Sequence, residues 1–236
     1  CLVAAKEIGF SELAARTWKG DMRVEIAASN NDERSISLMP TRGETKSRLS
    51  EGPAILHETV LDKTLEVSNN SFWQGHVKAP NLLSEVVREF AGVKNADHVL
   101  DLYGGVGIFA AALIDSVGSE GRIELIEGSK SATSDAARNF AENTNIKVIT
   151  GDVATHLPRI NSADVVVLDP PRDGAGKTVV SEIARLKPRT IVYVACDPAA
   201  LARDTGYFLE RGYSLVKLRA FDLFPMTHHI ECVARF

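Results

Sequence analysis

From about Pro80 to the end of the chain, short apolar runs alternate with longer amphipathic segments, and few architectures accept that order. The pattern predicts helix Leu82–Phe90, strand His98–Tyr103, helix Val106–Ser116, strand Arg122–Glu127, helix Ser131–Asn143 and strand Lys147–Thr150. It continues with strand Ala163–Asp169, helix Thr178–Leu186, strand Thr190–Cys196 and helix Ala199–Arg211. Strands separated by helices pair in parallel through right-handed crossovers, so the reading is an α/β, Rossmann-like domain with a mostly parallel sheet. Two closing strands, Ser214–Phe221 and Glu231–Phe236, have no helix pattern between them and imply an antiparallel member at one edge.

Up to about Gln74 the chain reads differently. A helix is expected over Leu2–Thr17, then a hairpin: Arg23–Ala27 and Ser35–Leu38 alternate in period two around the turn sequence Asn30–Glu33. Further short strands fit Ala54–Leu61 and Thr64–Val67, and the polar stretch Thr41–Glu51 reads as a loop. The organisation is therefore a β-rich domain over 1–74, truncated at its start, and an α/β domain over 75–236.

Composition excludes some classes. No apolar run reaches the roughly 18 residues that span a bilayer, and no signal peptide is visible. The three cysteines, Cys1, Cys196 and Cys232, form no Cys-x-x-Cys pair, which offers no zinc or iron–sulfur cradle and points to a reducing, cytoplasmic setting. The formal net charge of −4 does not announce a nucleic-acid partner, although binding depends on local patches.

Three sites at strand ends carry chemistry, and in an open α/β sheet ligands bind at the carboxyl edge. Asp101–Ala110 joins a strand to a helix, and its Gly105, Gly107 and Ala110 match G-x-G-x-x-A. Glu127 ends the next strand, where a carboxylate can take both ribose hydroxyls. The loop itself suits NAD or S-adenosylmethionine, and an acid at Asp101 just before the glycines fits the second; Asp152, after the following strand, is placed for the adenine end. Next, the buried-strand run Val165–Leu168 ends in Asp169-Pro170-Pro171-Arg172, where prolines stiffen a loop aiming Asp169 and Arg172 into the crevice. Last, Cys196 ends an apolar strand just before Asp197-Pro198 and a helix. A thiol there is a candidate nucleophile, its thiolate helped by the amino end of that helix.

Leu168–Arg172, Val194–Pro198 with Leu201–Asp204, and Phe224–Glu231 together resemble the signatures of the RNA uracil-5-methyltransferases, and Ser71-Phe72-Trp73-Gln74 is similar to that family's F-x-Q motif. The motifs occur in the family's order over about 71–236. The resemblance implies a class I methyltransferase domain with a seven-stranded sheet, S-adenosylmethionine as cofactor, RNA as substrate and a monomer. It implies Cys196 as the nucleophile that adds to uracil C6, Glu231 as the base that removes the C5 proton, and Phe72 as a stacking surface for a flipped base. Gln74, Tyr103, Gly105, Glu127, Asp152 and Asp169 fall to the cofactor side, and Arg172 to the substrate side. His228 and His229 are assigned support only. The family's small RNA-binding β-barrel and the cysteine cluster of some members are not in this chain. Ile108 and Asp197 stand where many members carry Asn.

Ribosomal RNA is the favoured substrate and transfer RNA the alternative. The rivals are an RNA cytosine-5-methyltransferase, which usually carries Cys where this chain has Arg172, an amino-group methyltransferase, which needs no Cys196, a dehydrogenase and a non-catalytic RNA-binding module.

Overall fold

A computed structural model describes residues 6–18, 20–42 and 46–236. Cys1 and the first part of the predicted Leu2–Thr17 helix lie outside the described residues. The rest of that helix is broken: a short 3-10 turn, Lys6–Ile8, stops at Gly9, which adopts a left-handed φ of 64°, and α1 spans only Phe10–Ala14. Gly takes that conformation without a Cβ penalty and so ends one helical segment before the next.

Strands β1 (Met22–Ala28), β2 (Arg34–Pro40) and β3 (Arg48–Glu51) form a small antiparallel sheet. β3 lies inside the stretch expected to be loop; all of its residues are exposed, so it carries no apolar alternation to betray it. A separate hairpin follows, β4 (Ile55–Val60) and β5 (Lys63–Ser68). The turn of the first hairpin docks on β4: Asn30 Nδ2 donates to the Thr59 carbonyl at 2.7 Å, and the Thr59 N–H donates back to Asn30 Oδ1 at 2.8 Å.

The main unit is a seven-stranded sheet in the order β11-β12-β10-β9-β6-β7-β8. Its strands are β6 (His98–Leu102), β7 (Arg122–Glu127), β8 (Ile146–Thr150), β9 (Val165–Leu168), β10 (Thr190–Ala195), β11 (Lys217–Phe221) and β12 (Glu231–Arg235). Helices α2 (Ala79–Ala91), α3 (Ile108–Val117), α4 (Lys130–Asn139), α5 (Val153–His156), α6 (Gly176–Leu186) and α7 (Pro198–Leu209) provide the connections. β6 to β10 pair in parallel, whereas β12 is antiparallel to both β10 and β11. The antiparallel member is thus one place in from the edge, because β12 folds back into the gap between β10 and β11. The short α5, after β8, is an element the apolar pattern did not reveal.

The sheet is covered on both faces, which is why its strands read as unbroken apolar runs. On one side Val99, Leu125, Val167 and Val194 pack against Leu83, Phe90 and Leu113 of α2 and α3. On the other, Leu100, Ile126, Val166 and Tyr193 pack against Val180, Ile183 and Phe208 of α6 and α7. Val60 and Leu65 of the β4–β5 hairpin belong to the first of these cores. The strand order reverses between β6 and β9, so a crevice opens there at the carboxyl edge. Among the described residues no helix is long and apolar enough to cross a membrane.

Candidate active site

The crevice holds a cleft of about 720 Å³. The residues assigned to catalysis, cofactor or substrate line it: Phe72, Gln74, Tyr103, Gly105, Glu127, Asp152, Asp169, Arg172, Cys196 and Glu231, whereas Asp101, Gly107 and Ala110 of the glycine segment lie outside the lining. Each comes from the carboxyl end of a parallel strand, from the segment after β5, or from the start of β12.

The glycine-loop end is well satisfied. β6 delivers Asp101, fully buried, whose Oδ2 accepts the Ala110 N–H at 2.9 Å and so fixes the first turn of α3. Glu127, at the end of β7, accepts the Gly105 N–H at 3.1 Å and the Ser129 N–H at 2.6 Å, one on each oxygen. A carboxylate has about four acceptor positions, so two remain for a diol. A Cβ built on Gly105, where φ is 56°, meets nothing within 4 Å, so this backbone borders open space. Asp152 caps α5 through the Thr155 N–H at 2.9 Å while still facing the cleft.

The other end concentrates acids. β10 ends at Ala195, which pairs with Cys232 of β12. Because β12 runs antiparallel, its first residue, Glu231, arrives beside Cys196; a parallel β12 would have put it at the far edge of the sheet. Asp169 follows β9 and receives a hydrogen bond from Gln74 Nε2 at 3.3 Å, joining the two walls of the cleft. Burial, then the neighbouring Glu231 and Asp101, push Asp169 up to about 8. Burial also raises Glu231, which is only 7% exposed. The Cys196 thiol is raised as well, first by burial and then by Glu231 and Asp169; Arg172 acts in the opposite direction. The α7 amino end, the expected source of help for the thiolate, is capped. Asp197 takes that position with its own side chain, accepting the Ala200 N–H at 2.8 Å, and Pro198 has no N–H to give.

The rim is apolar. Phe72 is 75% exposed at the mouth, and Phe224 packs edge-on against both His76 and His229. His228 and His229 stack at 4.3 Å. His229, and not His228, reaches the cleft lining.

Two residues with structural roles were given none by the sequence reading, although Asp204 closes the quoted Leu201–Asp204 signature. Asp135 on α4 and Asp204 on α7 are both without exposed surface. Asp135 accepts the Ser68 N–H at 2.9 Å and the Ser71 hydroxyl at 2.6 Å, so it pins the segment that leads into Phe72 and Gln74. Asp204 holds the opposite wall. A lone Asp in an amphipathic helix ordinarily faces solvent, and only the fold shows these two turned inward.

The fold and cleft together define a class I methyltransferase architecture. The solved tRNA (uracil-54, C5)-methyltransferase of Pyrococcus abyssi, in complex with S-adenosyl-L-homocysteine, superposes with a TM-score of 0.75 at 24% identity, covering 98% of this chain and 64% of that one. TrmN from Thermus thermophilus superposes at 0.55 with 19% identity, over 66% of this chain and 48% of that one. A model of the tRNA (Uracil-5-)-methyltransferase family matches residues 54–235, and the chain belongs to that family. Curated relatives include an uncharacterized RNA methyltransferase of Streptomyces avermitilis, 41% identical over 99% of this chain and 59% of its own length. One from Bifidobacterium longum is 42% identical over 90% of this chain and 50% of its own length. The chain thus spans little more than half the length of such relatives.

Proposed function

We propose that the protein transfers a methyl group from S-adenosylmethionine to C5 of a uridine in RNA. The observation that carries this reading is the juxtaposition of Cys196 and Glu231 across β10 and β12, in the same cleft as the glycine loop and Glu127.

The residues fit a sulfonium nucleoside. Glu127 has acceptor capacity left for a ribose, Asp152 borders the far end, and the buried Asp101 Oδ1 has no hydrogen-bond partner. When bound, S-adenosylmethionine supplies an electrophilic methyl group on a positively charged sulfur. Glu127, Asp152, Tyr103 and Gln74 would hold it.

Uracil C5 is too weak a nucleophile to take a methyl group unaided. The Cys196 thiolate adds to C6, and the C5–C6 π pair moves onto C5 and O4 as an enolate. C5 would then take the methyl group that the sulfonium supplies, the S–CH3 bonding pair staying on sulfur to leave neutral S-adenosylhomocysteine. Glu231 removes the C5 proton, the pair re-forms the C5–C6 double bond, and the Cys196–C6 bond breaks to return the thiolate. This is nucleophilic catalysis followed by general-base elimination. The raised Glu231 suits it to accept a carbon-bound proton, since a base of higher pKa binds the proton more firmly. The target base must be turned out of any stem to meet Cys196, and exposed Phe72 offers a face on which it can stack.

Ribosomal RNA is the proposed substrate, with transfer RNA, which the family's description names, as the alternative. The test is incubation with 5-fluorouridine-substituted ribosomal and transfer RNA and S-adenosylmethionine. A denaturation-stable RNA adduct is expected on one of them and absent with Cys196→Ala. An adduct that survives the substitution refutes the nucleophile; no adduct and no 5-methyluridine with either RNA refutes the reading.

A further inference from the structure

The loop 170–176 between β9 and α6 has little means of holding itself. Pro170 and Pro171 have no N–H, and the loop's own backbone bond runs from the Gly174 N–H to the Pro171 carbonyl at 2.7 Å. At its end Ala175 stands in the capping position before α6 and has no side-chain acceptor for the free N–H groups of a helix start. Asp204 of α7 supplies the acceptor from a neighbouring helix. Its Oδ2 accepts the Ala175 N–H at 2.8 Å, the Gly176 N–H at 3.1 Å and the Tyr193 hydroxyl at 2.8 Å. Its Oδ1 accepts from Arg203 Nε at 3.0 Å, and Arg203 in turn donates to the Asp173 carbonyl at 2.6 Å. The backbone at Gly174, with φ 75°, lies so close that a Cβ there would sit 2.6 Å from Asp204 Oδ2. Tyr193 belongs to β10, the strand that ends just before Cys196. One buried carboxylate therefore refers the loop bearing Arg172 and the strand bearing the thiol to the same point.

We propose that Asp204 is a positioning residue that latches the 170–176 loop to α7 and β10, fixing Asp169 and Arg172 relative to Cys196. The latch touches no substrate and rests on the methylation reading given above. Catalytic groups lose much of their effect when displaced by even an ångström, so a loosened latch should act on turnover while leaving the glycine-loop end intact.

Asp204→Asn in the full chain tests this, because an amide offers one acceptor oxygen where the carboxylate offers two. Turnover to 5-methyluridine is expected to fall about 10- to 100-fold. Affinity for S-adenosylhomocysteine, measured by calorimetry, should stay within about threefold, and amide exchange at Ala175 and Gly176 should accelerate. Turnover at the wild-type level, or cofactor affinity lost in step with turnover, overturns the latch. If Asp204→Asn does not fold, Gly174→Ala breaks the same contact from the loop side and must show the same split; its absence is equally decisive. Should the wild-type protein make no 5-methyluridine, the parent reading fails instead. In that case unchanged exchange at Ala175 and Gly176 in the variant overturns the latch, and accelerated exchange upholds it.

Discussion

At the glycine-loop end of the cleft, Glu127 accepts two backbone N–H groups and Asp101 fixes the start of α3. At the Cys196 end, by contrast, Asp169, Glu231 and the thiol crowd together, each raised by burial, with Arg172 as the cation among the influences on the thiol. Except at Asp101 Oδ1, which is buried without a partner, the first end has offset its desolvation cost in hydrogen bonds made by its own backbone. The second has not, and its three acids resist ionising side by side. A ligand gains orientation at one end; at the other it changes which group carries a proton.

The sharpest way to break this contrast is at Glu231. Glu231→Gln should lower turnover by about 10²- to 10⁴-fold. The loss should come after bond formation, so a covalent protein–RNA complex accumulates on ordinary uridine RNA and is seen on a denaturing gel. A fall in turnover with no trapped complex would place Glu231 before the addition step instead.

The satisfied end predicts a smaller and different effect. Glu127→Ala should raise the Kd for S-adenosylhomocysteine about 10- to 100-fold, the worth of one or two hydrogen bonds to a charged group. The rate of Cys196 alkylation by iodoacetamide should not change, because Glu127 is not among the groups that shift the thiol. Coupled loss of both would mean that the two ends are not independent.

The smallest effect is on stability. Burial raises Asp101 from an ordinary 3.8 to about 7, and Asp169 to about 8. Between those limits the native protein holds protons that the unfolded chain has released. The stabilisation is therefore complete below pH 3.8 and is lost progressively as pH rises from there, until it is gone above about 7 to 8. Melting temperature without ligand should fall across that window, each kcal/mol lost costing about 2–4 °C. Asp101→Asn should flatten the profile, and a profile equally steep in the variant would remove Asp101 from the account.

The sequence exposed the sheet because both faces are buried, which turned Val165–Leu168 and Ile191–Ala195 into uninterrupted apolar runs. It exposed the cleft because the candidate residues sit at strand ends, inside turns whose glycines and prolines are conspicuous. It hid β3, whose residues are all exposed, and the break at Gly9. Asp135 and Asp204 were hidden for another reason: their partners lie on distant or differently folded segments, such as Ser68 and Ala175. The upward shift of the thiol was equally out of reach, since it comes from side chains brought near only by the fold, while Asp197 claims the helix end that was to have helped.

Within the sheet β11 pairs with β12, and β12 joins it to β10. The pair docks as one ribbon. In folding terms, the sheet from β8 to β10 can form with its glycine loop and thiol in place while Glu231 is still elsewhere. Closing the ribbon inserts Glu231 next to Cys196, and opening it would withdraw Glu231 from the glycine loop and the thiol. The approach of Glu231 to Cys196 therefore depends on the pairing of this ribbon with β10, which hydrogen exchange along 217–235 can follow residue by residue.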